Sequence, residues 1–169
     1  NRAVANVTQL AISVVDFSNV SCFGAADGEI SVSGTGGTPS YDFTITLGAF
    51  TSTSNSNTGA VFSNLEGTEA GLTYTISIED ANACTTNLTQ TITQPNQLII
   101  DAIDTSALSC FGASDATMTA IVSGGSAPYT YLWTNVAAGT YSITAVATDN
   151  SGNTTTSTAK SVAVTGTTT

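Results

Sequence analysis

An internal repeat is the feature that most constrains how this chain can fold. The segment Ser21–Asp27 reads SCFGAAD, and Ser109–Asp115, which lies 88 residues further on, reads SCFGASD. The same offset places the Gly-Gly pair that begins at Gly36 on the pair that begins at Gly124. Self-similarity at a fixed spacing is typical of tandem structural units. The sequence therefore predicts two successive domains, with their junction beside Pro95.

The two units are predicted to span residues 1–94 and 95–169, and both alternate apolar and polar residues as half-buried β-strands do. Unit one contains seven such segments: Leu10–Val14, Glu29–Val32, Tyr41–Leu47, Phe50–Ser54, Ala60–Phe62, Tyr74–Ile78 and Leu88–Ile92. Only 8% of the residues are charged, so Ser and Thr supply most of the polar face, and the branched Thr side chain favours strands. The predicted fold class is all-β, a tandem of immunoglobulin-like antiparallel β-sandwiches.

Unit two is predicted to be strand-deficient. It contains five alternating segments: Leu98–Ile103, Thr117–Val122, Tyr129–Trp133, Tyr141–Ala147 and Ala159–Val164. Missing strands leave backbone edges without partners, and such edges recruit other chains. We therefore expect unit two to depend on unit one or on a strand from a neighbouring chain, for which Ala3–Val7 is the candidate donor.

The charge balance excludes several classes of function. The 169 residues include 12 acidic and two basic side chains, a net charge of -10, and no histidine. We expect no nucleic-acid partner, because nothing neutralises a phosphate backbone, and no membrane insertion, because no apolar run is long enough. Histidine-based catalysis and histidine-ligated metals are excluded. No side chains have a recognisable catalytic spacing, so we expect no enzymatic activity, no cofactor and no metal.

Five groups of residues in unit one carry a family resemblance. The SprB-type repeat is resembled by Cys22–Gly28, by Gly36–Tyr41, by Asn64-Leu65 with Gly71 and Tyr74, by Asp80–Cys84 and by Thr93–Pro95. That family forms long arrays in large adhesins on the surface of gliding bacteria. The resemblance therefore implies an exported protein at the bacterial cell surface. The end of unit two is more similar to a generic bacterial immunoglobulin-like domain.

The cysteines are expected to differ in their pairing. Because the resemblance implies export into oxidising surroundings, we predict a disulfide between Cys22 and Cys84. In unit two, Asn153 occupies the position that corresponds to Cys84, so Cys110 has no partner there. We expect Cys110 to be a free thiol.

The aromatic residues are expected to be structural. Tyr129, Tyr131 and Trp133 alternate along one strand and could stack on a sugar, but their counterparts in unit one lie on the apolar side of a strand. The aromatic residues that we assign to the core are Tyr41, Tyr74, Tyr129, Tyr131, Trp133 and Tyr141. Tyr74 and Tyr141 also resemble the tyrosine of an immunoglobulin corner, whose hydroxyl ties a turn to the backbone. A carbohydrate platform is the alternative.

Four aspartates are predicted to lie in loops: Asp27, Asp80, Asp115 and Asp149. Oxygen-rich loops can bind calcium, but an aspartate followed by small residues is also what an Asx turn requires. No EF-hand spacing is present. We therefore predict turns and keep calcium as the alternative.

The sequence favours a non-enzymatic structural and adhesive repeat of a secreted bacterial cell-surface adhesin. Its expected partners are neighbouring repeats or copies of itself, with surface glycans as a further candidate. The alternative is a subunit of a self-assembled extracellular filament that uses strand donation. A third hypothesis is a carbohydrate-binding accessory module of a secreted enzyme.

Overall fold

The computed structural model describes residues 8–106, 109–110, 117–132, 139–158 and 160–164. The chain divides into two compact units, residues 1–94 and 95–169. Both consist of antiparallel strands, which confirms the predicted all-β class. Over the described ranges, no helix is long and apolar enough to cross a membrane.

Unit one contains all seven predicted strands. They are β1 (Ala11–Ser18), β2 (Gly28–Thr35), β3 (Tyr41–Leu47), β4 (Phe50–Ser56), β5 (Gly59–Leu65), β6 (Leu72–Glu79) and β7 (Thr85–Ile92). One sheet has the order β1-β2-β5 and the other the order β4-β3-β6-β7. This is the arrangement of an immunoglobulin-like sandwich.

The core of unit one lies between its two sheets. Alternate residues of a strand point to opposite faces, so the inner faces of β2, β3 and β6 form a continuous apolar layer. Its fully buried side chains include Ile30, Val32, Phe43, Ile45, Ile76 and Ile78. The outer face of the four-stranded sheet is polar and rich in threonine. Thr46, for example, lies between Thr51 of β4 and Thr75 of β6.

The chain enters and leaves unit one at opposite ends. Where it enters, the Gly37 amide donates to the Thr8 carbonyl at 2.8 Å. Where it leaves, the Val20 amide donates to the Thr93 carbonyl at 2.9 Å. Strands β1 and β7 both run from the first end to the second, a distance of about 25 Å for strands of this length.

Unit two contains seven strand segments: β8 (Ile99–Thr105), β9 (Met118–Ser123), β10 (Thr130–Leu132), β11 (Gly139–Ile143), β12 (Val146–Thr148), β13 (Thr154–Thr156) and β14 (Lys160–Val164). The sheets are β8-β9, β10-β12-β13 and β11-β14. The pairing registers follow unit one. Thr130 opposes Thr148 as Asp42 opposes Glu79, so β10 and β12 correspond to β3 and β6.

The sequence predicts five strands in unit two, whereas the structure has seven strand segments. The number is higher because two of the five strand positions are each divided into two segments. Strands β11 and β12 together occupy the position of β6, and β13 and β14 together occupy that of β7. The break lies at Thr144 and Ala145. Tyr141 stands eight residues before Asp149, whereas Tyr74 stands six before Asp80, so the break coincides with two additional residues.

The strand deficiency itself is present. In the described part of unit two, β9 pairs only with β8 and β10 pairs only with β12. Their counterparts β2 and β3 each pair on both sides, with β5 and β4 as the additional neighbours. Unit two therefore shows no counterpart of β4 or β5 among its described residues. The proposed donor Ala3–Val7 lies outside the described residues.

A bulge shifts the inward face of the first strand between the units. In β1 the register changes between Val14 and Asp16, and the bulged Val15 is 65% exposed. In β8 the change falls between Ile100 and Ala102, and Ile103, the counterpart of Val15, is buried. A bulge moves every later side chain to the other face, so an ungapped alignment assigns this face wrongly.

We predict that Ile76→Ala destabilises unit one by about 2–5 kcal/mol, because it leaves a cavity at a fully buried site in a central strand. Thr75→Ala, on the exposed face of the same strand, should cost less than about 1 kcal/mol. Chemical denaturation followed by circular dichroism measures both. Equal losses would contradict the assignment of the core.

Candidate functional site

A buried carboxylate joins two loops at the end where the chain enters unit one. Asp80 directly follows β6 and is 5% exposed. Its Oδ1 accepts the amides of Asn82 and Cys84, each at 2.9 Å, and its Oδ2 accepts the amide of Thr38 at 2.9 Å. The first two bonds close the β6–β7 turn, and the third fixes the β2–β3 loop against it. We call this arrangement the aspartate corner.

Unit two contains a second aspartate corner. Asp149 follows β12 and is 6% exposed. Its Oδ1 accepts the amides of Ser151 at 2.9 Å and Asn153 at 3.0 Å, and its Oδ2 accepts the amide of Ser126 at 3.2 Å. Every backbone donor corresponds to one in unit one. The Asn153 side chain adds a bond to Oδ2 at 3.2 Å, in place of the Cys84 side chain.

The hydrogen bonds favour the ionised form of both carboxyls. The amides of Cys84 and Thr38 lower the pKa of Asp80. Burial raises the pKa of Asp149, but the hydrogen bonds from Asn153, Ser126 and Ser151 together outweigh it, and the resulting pKa is lowered. An acceptor of several N–H groups binds them best when it is charged. Both corners therefore weaken in acid.

Tyrosine hydroxyls tie the same loops to the backbone. Tyr41 donates to the Gly36 carbonyl at 2.6 Å, and Tyr129 donates to the Gly124 carbonyl at 2.5 Å. Sequence reasoning missed these bonds, although both units carry the same signal, Gly-Gly followed four residues later by Tyr. Tyr74 donates to the Glu66 carbonyl at 3.0 Å, which confirms its predicted corner role.

The first glycine of each Gly-Gly pair is required by the incoming chain. Gly36 has φ +71°, and a Cβ placed on it would lie 1.9 Å from the Gln9 carbonyl oxygen. Gly124 has φ +68° and the same 1.9 Å conflict with the Gln97 carbonyl oxygen. Only glycine fits a left-handed position this close to another backbone.

Side-chain bonds also hold the opposite end of unit one. Asp27 accepts the Ser21 amide at 2.9 Å and the Ser21 hydroxyl at 2.5 Å, and these bonds lower the pKa of Asp27. The Gln94 side chain accepts the Gly24 amide at 3.0 Å, and the Asn19 side chain accepts the Thr93 amide at 3.0 Å. The residues that leave unit one are thus bonded to its β1–β2 loop.

The predicted Asx-turn role is confirmed for Asp80 and Asp149, whose Oδ1 atoms accept the backbone amides two and four residues further on. Asp27 instead accepts the amide and the hydroxyl of Ser21, six residues before it, so its bonds close the β1–β2 loop and are not those of an Asx turn. Across the part of the chain that the structure describes, no group of three potential metal ligands is found. Asp115 lies outside the described residues.

The predicted aromatic core is only partly present. Tyr41 and Tyr74 are buried, and Tyr129 is half-buried. Tyr131 is 43% exposed, so its assignment to the core is wrong. Its counterpart Phe43 is fully buried and lies against Gly34 of β2, in a sandwich where β5 extends that sheet. The β5 position is unfilled among the described residues of unit two. Trp133 and the side chain of Tyr141 lie outside the described part.

The predicted disulfide between Cys22 and Cys84 is wrong. Both cysteines are unpaired, as is Cys110, which is exposed. Cys22 lies in the loop bonded to Gln94, where the chain leaves unit one, and Cys84 begins β7 at the opposite end. They are separated by about the length of a strand, roughly 25 Å, whereas a disulfide needs Cα atoms about 4.4–6.8 Å apart.

A family model described as the SprB repeat matches residues 14–50 and 102–138. Both limits differ by 88, the offset of the internal repeat. The chain thus carries two segments similar to the SprB repeat. In unit one, the SprB-like segment runs from within β1 to the first residue of β4, and it includes the loops that contain Cys22 and Gly36. No curated protein and no solved structure matches the chain.

We predict that replacing both corner aspartates by asparagine, D80N/D149N, lowers the thermal unfolding midpoint, because one acceptor oxygen of each carboxylate becomes a donor. The pH dependence should also change. A lowered pKa contributes stability that is present above the ordinary carboxyl pKa of about 4 and is lost as the pH falls through the folded-state pKa.

The midpoint of the unchanged protein should therefore fall more steeply between about pH 5 and pH 2 than that of D80N/D149N. D42N, which changes an exposed aspartate on the outer face of β3, is the control and should keep the steep dependence. Parallel pH profiles for all three proteins would contradict a role for the corners in acid sensitivity.

We predict that the folded monomer, purified without reductant, reacts with alkylating agent at Cys22, Cys84 and Cys110. Intact mass should show three additions with no reduction step. C22S/C84S should change the stability by less than about 0.5 kcal/mol, because no bond is lost. A single addition would instead show that two of the three cysteines form a disulfide.

Proposed function

We propose that this chain is a non-enzymatic, load-bearing repeat of a secreted bacterial cell-surface adhesin. Two observations support the class of protein: two segments are similar to the SprB repeat, and the fold is a pair of all-β units. In both aspartate corners, the carboxylate oxygens accept hydrogen bonds from backbone amides. They suit a structural role better than binding or catalysis.

The observation that carries the proposal is the direction in which unit one is loaded. The chain enters at Thr8 and leaves at Thr93, at opposite ends. Tension between these points pulls β1 along β2 and β7 along β6. Seven residue pairs join β1 to β2 and eight join β6 to β7. Because the bonds lie across the force, they share the load instead of opening one at a time.

Hydrogen bonds hold the backbone at the two ends of unit one, where tension would be applied. Near the first end, the Thr8 carbonyl and the Gly36 turn hold the incoming backbone. At the second end, Asn19 and Gln94 hold the outgoing backbone. Tension applied at the two ends is therefore borne by the hydrogen bonds between paired strands, and not by the loops.

The surface is suited to an exposed array. A net charge of -10 makes copies of the chain repel one another. The threonine-rich outer faces are hydrated through their hydroxyl groups although they carry few charged side chains. We propose an extracellular location at the bacterial surface. Partners would be neighbouring repeats, copies of the chain or surface glycans, with adhesion arising from weak contacts multiplied over many units.

A second candidate function, a subunit of an extracellular filament, is favoured by one observation. The described part of unit two leaves two strand positions unfilled, beside β9 and beside β10. Strands from other subunits could occupy these positions.

We predict a strong dependence of mechanical stability on pulling geometry. In the full chain, with the native cysteines changed to serine, optical-tweezers handles at residues 8 and 94 load β1 and β7 in shear. Handles at Glu69 and Gln94, which lie at the same end, separate β6 from β7 one residue pair at a time. The first geometry should need a clearly higher unfolding force at equal loading rate.

Equal forces in the two geometries would contradict a load-bearing design. The thermal midpoint of the two handle variants is the control, because it should be the same when the handles themselves do not disturb the fold.

A further inference from the structure

The described residues of unit two leave an open groove where unit one has a strand. Strand β9 corresponds to β2, which pairs with β5 along one edge. In the described part of unit two, that edge of β9 has no strand beside it. The backbone N–H and C=O groups of such an edge are the usual template for an added strand.

The side chains next to this edge form a pocket of about 210 Å³, and its described lining is Met118, Thr119, Ala120 and Tyr131. These residues correspond, at the offset of 88, to Ile30, Ser31, Val32 and Phe43. In unit one the three apolar members of that set are at most 2% exposed. In unit two Met118 and Ala120 are half-buried, and Tyr131 is 43% exposed. The pocket is therefore a core site that has lost its cover.

Unit one shows what covers the site. Strand β5 runs antiparallel to β2, with Phe62 opposite Ile30 and Ala60 opposite Val32. Both side chains point inward and are buried, whereas Val61 between them points outward and is 58% exposed. The seven residues of β5 include no charged side chain.

We propose that the groove beside β9 binds an extended segment of another polypeptide, which adds to the sheet antiparallel to β9. The segment is uncharged over about seven residues and carries apolar side chains at alternate positions, as β5 does. The inward side chains fill the pocket between Met118 and Tyr131, and the backbone bonds to the free edge of β9.

Charge supports this partner chemistry. No charged residue occurs from Ala116 to Thr148, so β9 and β10 offer neither attraction for a charged segment nor a counter-ion for it. Burying an unpaired charge in the apolar pocket is unfavourable, and the net charge of -10 repels acidic segments. The inference goes beyond a load-bearing role and does not depend on it.

The test uses the full chain and a fluorescent peptide with the β5 sequence, GAVFSNL, blocked at both ends. We expect saturable binding by fluorescence anisotropy. Amide signals of β9 and β10 should shift in NMR spectra of the full chain, and those of unit one should not.

Two control peptides carry the same added charge. Aspartate in place of the phenylalanine, an inward position, should weaken binding about tenfold or more. Aspartate in place of the valine, an outward position, should change it by less than about threefold.

A protein variant tests the groove itself. Ala120→Asp should abolish peptide binding. If this variant does not fold, the comparison of the two aspartate peptides on the unchanged chain still tests the proposal. Three results would overturn the proposal: no binding of GAVFSNL at millimolar peptide, equal binding of the two aspartate peptides, or shifts confined to unit one. Dimerisation of the chain through β9 without peptide binding would also overturn it, because a second copy would then occupy the groove. None of these results alters the expected dependence of force on pulling geometry.

Discussion

The fold of each unit depends on one carboxylate that accepts three backbone amides. Asp80 closes the turn between β6 and β7 and holds the β2–β3 loop to it, so a strand of each sheet is fixed at the same end of the sandwich. A neutral side chain could not satisfy three donors as well, because hydrogen bonds to a charged acceptor are stronger. Tyr41 and Gly36 complete the same end by tying down the incoming chain.

Comparison of the two units shows that the corner persists where the sandwich does not. Unit two lacks counterparts of β4 and β5 among its described residues, and two of its strand positions are broken. Nevertheless Asp149, Tyr129 and Gly124 reproduce the bonds of unit one almost bond for bond. The corner therefore depends on two loops that both units share, the loop after the second strand and the turn that contains the aspartate, and it does not require counterparts of β4 and β5. A unit that keeps its corner but loses a covering strand retains an exposed core site beside β9.

Much of the fold could be predicted from the sequence, because strand alternation and the 88-residue offset are local signals. The alternation located all seven strands of unit one. The corner aspartates were predicted as turn residues, since Asp followed by small residues is an Asx-turn pattern. The disulfide was wrong because spacing along the chain does not say which end of a sandwich a loop occupies. Cys22 and Cys84 follow strands that run in opposite directions, and only the topology shows this.

The most direct test of the account is amide hydrogen exchange in the full chain at neutral pH, measured by NMR. The amides of Thr38, Asn82 and Cys84 lie in loops, where exchange is normally fast, yet the account predicts slow exchange for them, as for Ser126, Ser151 and Asn153 in unit two. The exposed turn residue Gly48 provides the fast reference. Exchange of the corner amides at the rate of Gly48 would contradict the claim that an aspartate corner fixes the loops within each unit.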